Sequence, residues 1–372
     1  MALALLLPAL FLLYGYVQAD TESGYQSVTG PCNFIFPRDH GAHPGYRTEW
    51  WYYTGNLTGN GGRQYGFQLT FFRSQISPSQ DAAAWPEPRS AWRTQQLYLG
   101  HAAVSDISGK LHLQAEDVAR NALGMAGVDQ DEKKTRVYLK NWSAAITDNV
   151  HDIHAESDQF AYRLHLSSLK EPVSHGLEGY SKKGLSAERS SCYYSFTRLA
   201  SQGTLTLGGK TFPVSGQSWM DHEFSTAPLE PGIVGWDWFS LQLSDRTEIM
   251  IFLLREVNGP LNSASSGTFV AGNGRPRHLS VDDFNLRVLD TWQSKKSGAT
   301  YPSQWHMTIP SLSISLDITS NLANQEMHTA ASTGVTYWEG SVSCRGQQNG
   351  RAIIGAGYVE LTGYAQPFDA DL

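Results

Sequence analysis

Short apolar runs, several of them alternating with polar positions at a period of two, are separated by clusters of Gly, Asn, Pro and Ser. Strand side chains point to opposite faces in turn, so this pattern predicts half-buried β-strands joined by short turns. Residues 48–57 (TEWWYYTGNL) and the run RQYGFQLTFFRS flank a TGNGG turn, which predicts a hairpin. LYLGHAAVSDI and LHLQAEDV predict a second hairpin. RVYLKNWSAAI and FAYRLHLSS alternate well, and GTLTLGGKTFPVSGQSWMDHEF reads as two strands around Gly-Gly. No segment sustains a helical period, and the best helix candidates are short, around Ala187 and near Asp282. Two polar stretches, residues 75–93 and 169–191, read as long loops, the first as a lid and the second as a mouth loop.

The second half repeats the first. GWDWFSLQL, a turn and EIMIFLLREV parallel EWWYYTGNL, a turn and GFQLTFFR. Setting residues 216–221 against 355–360 places Trp219 on Tyr358 and Asp221 on Glu360. This predicts an all-β chain of two similar antiparallel domains, residues 20–226 and 227–372, with the boundary in the Pro- and Gly-containing TAPLEPG.

Composition narrows the reading. Hydrophobic residues make up 41 % and charged residues 17 % of the 372 residues, as in a folded globular protein. With 11 Trp, 17 Tyr and 15 Phe, the aromatic load suits a protein that encloses an apolar ligand, and it also suits plain β-cores. The net charge of -7 and the lack of any basic run argue against nucleic acid and anionic membrane surfaces as partners. Residues 1–19 are apolar and end in Val-Gln-Ala, the pattern of a signal peptide cut after Ala19, with an uncleaved N-terminal anchor as the alternative; no other segment is long and apolar enough to span a bilayer. The expected location is therefore secreted or periplasmic. In that setting one pair among Cys32, Cys192 and Cys344 can bridge, and the spacing leaves the pairing open. Asn56 and Asn141 head glycosylation sequons if the source is eukaryotic.

The densest chemistry is GQSWMDHEFST, residues 216–226. On a regular strand Trp219, Asp221 and Glu223 share one face, and Met220 and His222 the other. A carboxylate on an inward aromatic face is costly to bury unpaired, so its pKa rises and it becomes a proton donor. The bland alternative is a turn whose acids make only local hydrogen bonds. In the first strand Glu49, Trp51 and Tyr53 share a face with Arg47 beside them, so either Arg47 or Arg73 is the expected partner of Glu49. His101 is expected to be a hydrogen-bonded histidine of the barrel.

The runs FPRDHGAHPGYRTEWWYYTGNL, GFQLTFFR, YYSFTRL, SGQSWMDHEFS, GWDWFSLQL and the closing GYVELTGYA resemble the AttH/CrtC-like lipocalin-like family, which includes carotenoid 1,2-hydratases and proteins labelled secreted hydrolases. The resemblance covers residues 36–365 and implies two tandem lipocalin-like antiparallel β-barrels. It also implies that Asp221 is a proton donor with Trp219 lining its pocket. A His/Trp pair of the hydratase branch maps onto Cys192 and Tyr194, a departure from the family pattern. His222 stands where secreted relatives usually carry Arg.

On this basis the chain is expected to bind or act on a lipophilic, isoprenoid or lipid-like molecule without a cofactor. Hydration of a C=C bond needs a proton delivered to carbon and a cation captured by water. Asp221 would protonate, Trp219, Trp51 and Tyr194 would face the cation, and His222 or Glu49 would orient water. Trp236 and Trp238 would be further ligand walls, with Arg47 at the site. The rival reading is a carrier in which Asp221 is ion-paired with Arg47 or Arg73. Hydrolysis is third: there is no GxSxG or HExxH motif, and only Ser218 or Ser225 with His222 offers a nucleophile pair. A metal at Asp221, His222 and Glu223 is not expected, because adjacent strand residues diverge.

Overall fold

The computed structural model describes residues 24–88, 90–226, 229–257 and 261–368. The signal-peptide expectation falls on residues 1–19, outside the described residues.

Alternation produces strands, as expected, and the strands gather into two antiparallel sheets. The main path of the first runs Leu111–Arg120, Gln96–Asp106, Gln64–Gln75, Thr48–Gly59, Lys210–Ser225, Ser190–Leu207, Phe160–Ser168, Val150–Glu156, Trp142–Thr147, Lys134–Leu139, Ala126–Gln130. The second runs Pro276–Ser280, Ser266–Val270, Glu248–Glu256, Ile233–Leu243, Arg351–Leu361, Thr336–Gln348, Ile314–Ser320, Thr300–Ile309, Asn285–Gln293. The two orders match: each sheet places its Trp-rich strand beside the strand that carries Asp221 or Glu360. The duplication read from the sequence is thus a duplication of topology. The first sheet curls almost into a barrel and the second into a half-barrel, the lipocalin-like architecture that the resemblance implied.

Each sheet encloses its own core. Trp51, Tyr53, Leu57, Phe67, Tyr194, Phe196 and Met220 fill the first, and Phe239, Trp305, Ile318, Trp338 and Val359 the second. A third core lies between the sheets and is built by Tyr52, Tyr193, Trp219, Trp238, Phe252 and Tyr358. Strand Thr48–Gly59 therefore has two buried faces, Trp51 and Tyr53 towards the barrel and Trp50 and Tyr52 towards the second sheet. That is why its sequence is an almost unbroken aromatic run.

Polar contacts weld the halves. Glu248 lies buried between Lys170, at 2.6 Å, and Arg198. Gln242 donates to the carbonyls of Thr197 and Ser218 at 2.8 and 2.9 Å. Asn56 of the first sequon donates to Gly357 O at 3.0 Å and accepts from Ser341, so its side chain is engaged in the contact between the sheets. The approach there is close: a Cβ on Gly66 would sit 2.9 Å from that of Ser341.

Cys32 and Cys192 form a disulfide across 160 residues, leaving Cys344 buried and reduced. The helix expected around Ala187 is absent and turns replace it, while the one near Asp282 is a single 3-10 turn, Val281–Asp283, closed by a capping box from Ser280. Polar side chains that can bond their own backbone favour such turns over longer helices.

Candidate active site

A cavity of about 220 Å³ lies between the two sheets, not inside either barrel. Trp50, Tyr52, Tyr193, Asp221 and Glu223 line it from the first sheet, and Trp236, Trp238, Tyr337, Glu339 and Glu360 from the second. Lys183, from the stretch read as a mouth loop, reaches it; none of the described residues of 75–93 does, so those residues form no lid on this cavity.

Asp221 is 3 % exposed and has no cationic partner among the described residues. Its Oδ1 accepts the indole N–H of Trp219 at 2.6 Å and the hydroxyl of Ser195. Burial pushes its pKa up to about 7, against the lowering effect of bonds from Ser195, Trp219 and Tyr193. The carrier expectation of an ion pair with Arg47 or Arg73 is therefore overturned. Arg47 lines the cavity. Arg73 is buried on the barrel face, 2.7 Å from Glu49.

Glu360 is Asp221's counterpart. Asp221 lies opposite Tyr52 in its sheet, and Glu360 opposite Trp238 in the other. Glu360 accepts from Trp236 Nε1 at 3.0 Å and from the Thr362 hydroxyl at 2.9 Å, and burial pushes it up to about 7 as well. Glu339, the next strand over, is raised well above the usual carboxylate range, first by burial and then by the charge of Glu360. Glu223 is different, since it pairs with Lys183 at 2.8 Å. Lys183 in turn lies over the rings of Phe252 and Tyr193, at 4.2 and 5.1 Å. Trp238 donates to Tyr193 across the junction at 3.1 Å.

The site residues expected from sequence split between two faces. Asp221, Arg47, Trp236 and Trp238 line the cavity, and Trp219 braces Asp221 from behind. His222, Tyr194, Trp51 and Glu49 do not reach it, because they sit one position out of phase on the same strands and point into the barrel. There Trp51 stacks on His222 at 4.7 Å. His222 Nε2 donates to the Glu49 carboxylate at 2.8 Å, and its Nδ1 lies 2.9 Å from Tyr194 Oη. Glu49 also takes His43 at 2.6 Å and Arg73 at 2.7 Å. The roles expected for Trp51 and Tyr194 beside the cation, and for His222 and Glu49 on the water, are corrected accordingly. Tyr193 and Ser195, each one residue away from Tyr194, take the face of Asp221, and Cys192 is spent in the disulfide.

Other expectations change too. His222 cannot activate Ser218 or Ser225, since both its ring nitrogens are engaged and Ser218 bonds Ser201 at 2.6 Å. His222 points away from Asp221 and Glu223, as its strand position demands. Three residues able to ligate a metal do meet on the barrel face: His43, Glu49 and His222, with ligand atoms within 4.8 Å of one another. Arg73 already balances the Glu49 charge there. His101 is hydrogen-bonded, to Tyr337 and Ser332 at 2.9 Å each, but at the junction of the sheets rather than inside the barrel. Trp50, expected as a cup or core wall in the carrier reading, does line the cavity, whereas Tyr52, Tyr193 and Glu339 were missed; the aromatic run and the duplication were the signals that held them.

No helix of the described residues is long and apolar enough to cross a membrane. Among curated proteins none matches the chain. An AttH protein of Nitrosomonas europaea is similar in structure, with a TM-score of 0.79 at 29 % identity over 91 % of this chain and 99 % of that one. Kievitone hydratase of Nectria haematococca shares the fold, with a TM-score of 0.66 at 15 % identity over 92 % of this chain and 97 % of that one. CghA, solved with Sch210972, shares it more distantly, at 0.52 and 12 % over 94 % and 98 %. The model of AttH-like proteins matches residues 27–364, nearly all of the described chain, and the protein belongs to the AttH-like family.

Proposed function

We propose that the protein is a hydratase of lipophilic alkenes, working in the cavity between its two sheets. The observation that carries this reading is Asp221, a buried carboxyl without a cationic partner among the described residues, held near a pKa of 7 on an aromatic wall. Such a group stays protonated enough at neutral pH to deliver a proton, and once ionised it is driven to take one back. The proton of Asp221 forms the new C–H bond. The cation left on the neighbouring carbon is faced by Trp50, Tyr52, Trp236 and Trp238, whose ring faces attract positive charge by about 0.5–2 kcal/mol each. Water attacks that carbon, and Glu360 takes the proton it sheds. Glu339, kept neutral, donates a hydrogen bond. The kinship in fold to kievitone hydratase supports the reading. So does the aromatic lining, which suits an isoprenoid-like substrate and not a polar one.

The same reading includes two domains, residues 20–226 and 227–372, and action outside the cytoplasm after loss of the leader. The Cys32–Cys192 disulfide supports that location, because such bridges persist in oxidising compartments. A hydrolase finds less support: Ser195, whose hydroxyl bonds both His175 and Asp221, does not line the cavity.

The test is extraction of bound lipophiles from purified protein, followed by incubation of wild type and Asp221→Asn with isoprenoid alkenes in isotopically labelled water. Wild type should return a product heavier by one labelled water, and the variant the unchanged alkene. If both hold the same ligand and neither alters it, the protein is a carrier and Asp221 a structural acid.

A further inference from the structure

We propose that Thr268, His175 and Ser195 form a proton relay that reloads Asp221 from outside the cavity. The proposal rests on the reading of Asp221 as the acid, and it gives a role to a histidine that no sequence motif singled out.

The chain of contacts is continuous. Asp221 Oδ1 accepts from Ser195 Oγ. Ser195 Oγ lies 2.6 Å from His175 Nε2, and His175 Nδ1 lies 2.9 Å from Thr268 Oγ1. Ser195 and His175 are wholly buried, and Thr268 nearly so. None of the three lines the cavity, whereas Asp221 does. At its far end Thr268 lines a separate surface cleft of about 550 Å³, shared with Ser174 and with exposed His278, its neighbour in the strand register. The relay crosses from one sheet to the other, since Ser195 belongs to the first and Thr268 to the second.

Hydrogen-bond logic orients it. An ionised Asp221 only accepts, so Ser195 donates to it. The Ser195 lone pair then accepts from His175 Nε2–H, and Nδ1 of the neutral ring accepts from the Thr268 hydroxyl. Every donor points towards Asp221. The ring is neutral because burial, helped by the charges of Lys183 and His278, holds its pKa down to about 3. Tyr193 packs on the ring at 4.3 Å. Around Asp221 the ionisable neighbours are Glu223, Tyr193 and Tyr52.

In turnover, Asp221 gives its proton to carbon and is left ionised under a lipophilic ligand that keeps water from it. The Ser195 proton then passes to Asp221, the Nε2 proton to Ser195, and the Thr268 proton to Nδ1. A solvent proton from the cleft restores Thr268, and the next turnover follows once the hydroxyls rotate and His175 regains its Nε2–H tautomer. Glu360 releases to solvent the proton shed by the attacking water, so no net proton is gained or lost.

The experiment follows hydrogen exchange at the Asp221 carboxyl by infrared spectroscopy, with the cavity filled by n-decane, which has no proton to give. The band is assigned by its loss in Asp221→Asn. Exchange into heavy water is timed at a pH below the band's titration midpoint. Thr268→Val, nearly isosteric, and His175→Gln, which keeps hydrogen-bonding atoms but not a ring that passes protons, should each slow exchange by about tenfold or more with the midpoint little moved. Exchange as fast as wild type in both variants overturns the relay and leaves the acid reading intact. A wild type with no protonated Asp221 near neutral pH overturns the acid reading, and the relay with it.

Discussion

Asp221 and Glu360 occupy the same strand position in the two sheets, and both carboxyls open into one cavity with pKa values pushed up to about 7. Each accepts an indole N–H, but from different strands: Trp219 lies two residues before Asp221 on its own strand, whereas Trp236 belongs to the strand beside Glu360. Duplication thus supplied a pair of acids, and the junction between the copies, not either copy alone, makes the site.

With Asp221 as acid and Glu360 as base, activity on an accepted alkene should fall as pH rises above about 7, where the acid ionises, and fall again below it, where the base protonates. Asp221→Asn should lower kcat by about 10²–10⁴-fold. Glu360→Gln should lower it too and abolish the loss on the acidic side, which a kcat/KM profile would read.

Holding Asp221 in the fold has a pH-dependent cost. Its folded pKa is raised from 3.8 to about 7, so the native state is unpenalised below pH 3.8 and loses stability as pH climbs through that interval, by up to about 4 kcal/mol. Asp221→Asn removes the term. Denaturant melts should therefore find the variant more stable than wild type at about pH 8, with the difference shrinking towards about pH 4.

Trp219→Phe removes one hydrogen bond that favours the ionised carboxyl. The Asp221 midpoint should rise further, and the alkaline limb of the activity profile should move up with it. A midpoint that falls instead would mean that the indole does not serve the carboxylate.

Glu49 and Arg73 are wholly buried on the barrel face, and burial of Glu49 is outweighed by Arg73 and His43, which hold it well below the usual carboxylate range. Arg73→Met strands that charge and should cost about 3–5 kcal/mol by chemical denaturation. Because the pair lies on the other side of the strand from the cavity, affinity for an apolar fluorescent probe in the cavity should hold for the fraction that stays folded.

The Cys32–Cys192 bridge closes a loop of 160 residues. Replacing both cysteines by serine should lower stability by about 2–5 kcal/mol, read by denaturation of both forms under the same conditions.

Much of this molecule was legible in the chain. The apolar runs TEWWYYTGNL and GFQLTFFR around a Gly-rich turn specified a hairpin, and alternation in RVYLKNWSAAI and FAYRLHLSS specified strands, because side-chain direction on a strand is fixed by local backbone geometry. The repeat of that programme after Gly235 anticipated the matching sheets, and it set Asp221 against Glu360 before any contact was known. Asp221 stood out because an acid between apolar neighbours needs an explanation.

What lay beyond reach was which face of each strand meets which partner. Trp50 and Trp51 are chemically alike and adjacent, and only the packing of one sheet on the other sends the first to the cavity and the second into the barrel. A one-residue shift exchanges faces, which is why Tyr193 and Ser195, and not Tyr194, meet Asp221. His175 joins Ser195 and Thr268 from three separate segments, so no spacing could reveal it. Periodicity is a local property and the sequence carries it. The site is a relation between two sheets, and it exists only once burial of their aromatic faces has brought them together.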